Sequence, residues 1–87
     1  QIGVIAQVAV IQANLGRYGD ALKSLGVAAS LDPKNPAHIF NMAVISDKGG
    51  NKKDAIALYE RALEIDTMTG ARTIPRDAVF QRLAELR

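Results

Sequence analysis

Apolar positions along the chain recur at helical rather than strand spacing, in blocks separated by glycine and proline. Between Pro36 and Lys48 they are Ile39, Phe40, Met42, Ala43, Val44 and Ile45, a broad helical face. Asn35 ahead of Pro36 supplies an N-cap and a first-turn proline. Gly49-Gly50 supplies the stop, because glycine takes the left-handed conformation without steric cost. A second helix is predicted to start at Asn51, with Asp54 three residues on as an imperfect capping box. Its buried stripe is Ala55, Ile56, Leu58, Tyr59, Ala62, Leu63 and Ile65. The N-terminal part follows the same plan: a helix from Ile2 to Leu15, a break at Gly16 and a helix from Tyr18 to Leu31. Pro33 and Pro36 in the connector forbid one continuous helix. Beyond Asp66, Thr67 to Thr73 read as a polar connector, and Pro75 opens a last helix to Arg87, apolar at Val79, Phe80, Leu83 and Leu86.

The two hairpins are copies of each other. At an offset of 34 residues Ile5 falls on Ile39, Ala9-Val10-Ile11 on Ala43-Val44-Ile45, and Gly16 on Gly50. Asp20, Ala21, Ala28 and Asp32 fall likewise on Asp54, Ala55, Ala62 and Asp66. Conservative pairs at Val8/Met42, Leu22/Ile56 and Leu31/Ile65 keep the register between these identities. This phase settles one local conflict. Ile2, Val4, Ile5, Val8, Val10 and Ile11 are β-branched and favour a strand on propensity alone, yet they match a segment with a clear helix start and stop.

Composition narrows the function classes. Eighty-seven residues make one small domain, and two Phe, two Tyr and no Trp make its core aliphatic. The absence of Cys excludes a disulfide framework, a thiol nucleophile and Cys-based metal sites. A net charge of +2 from scattered charges lacks the basic stripe of a nucleic-acid binder. The apolar start, Ile2 to Ala13, is too short for a membrane span and lacks the basic opening of a secretory signal, so it reads as core. The chain opens on Gln1, and is expected to be a piece of a longer protein.

Period, small residues and turn together resemble the tetratricopeptide repeat (TPR) family. The residues that carry the likeness are Gly50, Ala55, Tyr59, Ala62, Leu63 and Asp66 in the second unit. In the first they are Leu15-Gly16-Arg17-Tyr18, Ala21, Ala28, Leu31 and Asp32-Pro33-Lys34-Asn35-Pro36. Gln12 and Ser46 depart from the family's aromatic, and Thr67 from its closing proline. The resemblance implies an all-α, TPR-type α-solenoid of antiparallel helix pairs with about five helices. The expected divisions are repeat one over 2–35, repeat two over 36–69 and a capping helix over 74–87, within a single domain 1–87.

The resemblance also implies a non-catalytic scaffold in which the first helix of each unit lines a concave groove for a partner peptide or helix. Mapped onto this chain the groove positions are Gly3, Ala6, Val10, Ala13 and Asn14, then Ala37, Phe40, Asn41, Val44, Asp47 and Lys48. The wall is small and apolar with a polar edge, which suits an apolar or amphipathic protein segment. Ala6 and Val10 stand where a carboxylate-gripping form of the groove has Lys and Asn, so that clamp is not implied.

Two other readings stay open at this point. The first helix is apolar all round, which points to burial against further repeats or against a second copy through Val4, Ile5, Val8 and Ile11. The chain is otherwise an accessory arm of an enzyme whose catalytic domain lies elsewhere. The remaining polar residues carry little chemistry. Asp20, Asp32, Asp54 and Asp66 recur as turn and cap residues, Glu60 and Glu64 flank Arg61 on a solvent face, and His38 is expected to be an exposed bystander. No cofactor, metal or nucleic acid is expected. The sequence style resembles bacterial members of the family that serve secretion, pilus and envelope assembly, which would place it in the cytoplasm or periplasm.

Overall fold

The computed structural model describes residues 1–87 as five helices without strands: α1 (Ile2–Asn14), α2 (Tyr18–Leu31), α3 (Pro36–Lys48), α4 (Lys52–Thr69) and α5 (Arg76–Leu86). Consecutive helices pack on one another to form a slab of 29 × 28 × 16 Å. The β-branched first helix is helical as the repeat phase requires. The two hairpin turns are built alike. Gly16 and Gly50 sit at φ 78° and 80°. The Arg17 and Asn51 amides donate to the Gln12 and Ser46 carbonyls at 2.8 and 2.9 Å, closing a Schellman turn at each site. Gly49 keeps a right-handed φ of −76°. Its lack of a side chain matters for another reason: a Cβ there would lie 3.4 Å from the Tyr18 ring.

Ala21, Ala28, Ala55 and Ala62 are fully buried, and each pair of antiparallel helices closes on them. Nine buried residues around α3, α4 and α5 form the larger core, with Tyr59, Leu63, Val79 and Leu83 among its large side chains. A smaller cluster of Ala9, Ala21, Leu25 and Ile45 joins α1, α2 and α3. The chain therefore has one continuous stack with a heavy and a light end.

Several expectations are corrected by the structure. α4 runs on through Thr67, Met68 and Thr69, the stretch expected to be connector. Threonine at 67 leaves the backbone N–H that proline would remove, and the helix stops only at Gly70, φ 66°. Pro75 caps α5 from outside rather than opening it. Phe80 is exposed instead of buried, with the Arg76 guanidinium 5.6 Å above its ring centroid. Asn51 bonds the Asp54 side chain at 2.7 Å and makes no capping bond to the backbone, whereas Asn35 accepts from the Ala37 amide at 3.0 Å as expected. His38 is buried, not exposed. Its Nε2 lies 3.2 Å from Asp32 Oδ2, which also accepts from Asn35 at 3.1 Å, so the first turn of α3 closes over the end of α2.

The second joint repeats this device with different chemistry. Asp66, 34 residues after Asp32, accepts from Arg76 at 2.9 Å and from the Thr73 amide at 3.2 Å. The bond from Arg76 holds the Asp66 carboxyl below the usual carboxylate range. An acid at the end of each second helix thus receives a donor at the start of the next helix.

Candidate binding groove

The first helices of the two units, α1 and α3, each rest on their own second helix. α1 contributes no charged residue at all. Between them opens a cleft of about 140 Å³ lined by Ala9, Val10, Ala13, Asn14, Leu25, Asn41, Val44, Ile45 and Lys48. Its floor is Leu25, reaching up from α2, with Ala9 and Ile45 beside it; all three are buried. Asn14, Asn41 and Lys48 supply the polar groups, and Lys48 forms no ion pair.

Of the residues expected in a groove, the structure brings Val10, Ala13, Asn14, Asn41, Val44 and Lys48 to this cleft. Gly3, Ala6, Ala37, Phe40 and Asp47 do not line it. Ala6 and Ala37 are half-buried nearer the start of their helices. Phe40, also half-buried, packs on the α3–α4–α5 core, its ring centroid 6.2 Å from that of Tyr59 at a 53° tilt.

Asp47 is engaged elsewhere. Arg82 of α5 grips it with Nε and Nη2, both at 2.7 Å, and the Tyr59 hydroxyl donates to Oδ2 at 2.9 Å. The bond from Arg82 lowers the Asp47 pKa despite partial desolvation, and the Arg82 pKa is raised in return. Burial first, then the bond to Asp47, pushes Tyr59 up to about 12. Asp47 therefore ties α5 to α3 and α4.

Sequence reasoning missed Leu25 and Ile45 as the floor. Both lie on buried stripes, and a buried stripe shows which residues are inside without showing that two helices part above them. A second hollow of about 490 Å³ lies between the α2–α3 connector and the end of α4, lined by Pro33, Lys34, Arg61, Ile65, Met68 and Thr69. It is the larger, but only Ile65 and Met68 give it apolar wall, and Arg61 pairs with Glu64.

No helix is long and apolar enough to cross a membrane. The chain is similar to the pre-mRNA-splicing factor SYF1 of Kluyveromyces lactis, 32% identical over 50 residues, which are 58% of this chain and 6% of that protein. The chain thus matches only a small part of that much longer relative. The family profile described as tetratricopeptide repeat matches residues 14–72, from the last residue of α1 through α2, α3 and α4 into the final connector. With the duplicated turns and the antiparallel pairs that those residues build, the chain belongs to the tetratricopeptide repeat family.

Proposed function

We propose that this chain is a non-catalytic interaction module that holds an amphipathic segment of a partner protein across α1 and α3. Repeats of this family generally mediate protein–protein contacts. The observation that carries the reading is the cleft itself: an aliphatic notch edged by two amide side chains and one unpaired cation. At about 140 Å³ it falls below the roughly 300–1,000 Å³ of small-molecule sites and suits a single apolar anchor side chain of a peptide. Val10 and Val44 clasp the anchor, Asn14 and Asn41 bond its backbone, and Lys48 favours an acidic neighbour.

A peptide array probed with the 87-residue chain tests this. The expected binders carry one large aliphatic or aromatic residue with an acidic residue close by. Val44→Glu places a charge at the cleft mouth and should weaken those binders by at least about tenfold while the helical circular dichroism stays unchanged. Binders that tolerate both Val10→Glu and Val44→Glu in folded protein would place the contact on another surface.

A further inference from the structure

The cleft between α1 and α3 is polar at its rim and apolar at its floor. Asn14 and Lys48 are exposed at the ends of their helices, and Asn41 is half-buried. The floor of Ala9, Leu25 and Ile45 is buried and offers no side-chain donor or acceptor. The backbone below offers none either, because groups inside a helix bond along that helix. Val4, Val8 and Ile11 are exposed and Ile5 is half-buried, but none of the four lines the cleft. The volume fits one ring. An apolar cavity of roughly 150 Å³ accepts benzene, and this cleft holds about 140 Å³.

Charge at the rim sets what stands beside the ring. Asp47, next to Lys48, is held by both arms of Arg82 and by the Tyr59 hydroxyl, and Lys48 keeps no ion pair. α1 adds no charge opposite it. Lys48 therefore favours a carboxylate on the incoming chain. We infer that the partner's anchor is a phenylalanine flanked by an acidic residue, and that the cleft selects phenylalanine over tyrosine. This specificity presupposes the interaction module proposed above. Tyrosine carries the same ring with a hydroxyl at its far end. With the ring inserted, that hydroxyl meets Leu25, Ala9 and Ile45, which cannot replace the hydrogen bonds it gives up to enter. An apolar site rejects an added hydroxyl only moderately, so the expected discrimination is about tenfold. An alanine anchor leaves the floor uncovered and forfeits the burial that drives binding.

The test is a titration of end-blocked peptides into the 87-residue chain, labelled at its Leu, Ile and Val methyls and followed by NMR. The peptides place glutamate beside phenylalanine, tyrosine, para-fluorophenylalanine or alanine. The phenylalanine peptide should shift the Val10, Leu25, Val44 and Ile45 methyls. The tyrosine peptide should bind about tenfold more weakly, and the alanine peptide should leave these methyls unmoved. Para-fluorophenylalanine extends the ring without a hydroxyl and should bind like phenylalanine, which separates polarity from length. Ala9→Ser puts a hydroxyl on the floor and should bring tyrosine to within about twofold of phenylalanine. If Ala9→Ser unfolds α1, toluene and para-cresol on the wild-type chain replace it, and toluene should shift the floor methyls more at equal concentration. Tyrosine bound in the cleft as tightly as phenylalanine overturns the anchor and leaves the interaction module standing. Fluorophenylalanine rejected along with tyrosine, a folded Ala9→Ser without effect, toluene and para-cresol acting alike, or cleft methyls unmoved by any probe also overturns the anchor. The module itself falls separately, through array binders indifferent to Val10→Glu and Val44→Glu.

Discussion

The two hairpins share a plan and differ in how they are held. The second, α3–α4, is enclosed on both sides: α2 covers α3, α5 covers α4, and Asp47–Arg82 and Asp66–Arg76 tie the cap down. The first, α1–α2, is covered on one side only, and its core comes down to Ala9, Ala21 and Leu25 with Ile45 from α3. Identical turns and identical alanines therefore sit in unequal settings. In a stack of repeats, stability is a sum of unit and interface contributions, so the lightly flanked hairpin opens first. The α1 wall and the Leu25 floor of the cleft lie on that looser hairpin, and its other wall on α3 of the enclosed one.

Leu25→Ala should break the comparison most sharply. It removes the largest fully buried side chain among α1, α2 and α3, at a cost of about 2–5 kcal/mol. Hydrogen exchange should show α1 and α2 losing protection while α4 and α5 keep most of theirs. Uniform loss across all five helices would mean that the stack unfolds as one unit. Next come the paired small residues. Ala28→Leu and Ala62→Leu each overpack a fully buried helix crossing, for about 1–3 kcal/mol. The penalty should be at least as great at Ala28, because α3 packs on α2 more extensively than α5 packs on α4. Denaturant titration of the two variants decides the order.

The ion pairs at the heavy end should show in the pH dependence. Asp47 and Asp66 are both held below the usual carboxylate range, so their contribution is present above about pH 4 and is lost as pH falls through the folded values. Tyr59 is shifted the other way, to about 12, so its contribution is intact below about pH 10 and is lost as pH rises between about 10 and 12. Thermal melts of Tyr59→Phe should lack that component of the alkaline loss. Asp47→Asn should flatten the acid limb and loosen α5 ahead of α1, reversing the order of opening seen with Leu25→Ala.

Helix number, turns and repeat register were legible in the sequence because glycine φ, proline and 3.6-residue periodicity act locally. The 34-residue offset located Ala21, Ala28, Ala55 and Ala62 without any structural information. What escaped was set by partners far along the chain. Asp47 is placed in the groove by the family resemblance, yet Arg82, 35 residues away, claims it. His38 looks exposed on a first turn, but Asp32 draws it inward across the connector. The stop of α4 was misplaced because threonine at 67 permits a further turn, at whose end the Thr69 hydroxyl donates to the Ile65 carbonyl at 2.8 Å. Of the cleft, the rim was visible as one helical face, while the floor depended on how far apart α1 and α3 stand.

The smallest effect is also the most direct test of the asymmetry. Asn35 caps α3 through its side chain, and the residue at the same place in the first unit is Gln1, which makes no capping bond. Glutamine is one methylene too long to fold its oxygen back onto the N2 amide. Asn35→Ala should cost about 1 kcal/mol, and Gln1→Asn should gain at most about as much. The two changes act on different events. The first weakens the helix on which both hairpins lean, so it should lower the global midpoint in denaturant. The second should slow exchange in the first two turns of α1 and leave the global midpoint nearly still, because fraying there precedes unfolding of the stack. A rise in the global midpoint with Gln1→Asn would instead show that α1 melts together with α3 and α4, making the single-sided hairpin as cooperative as the enclosed one.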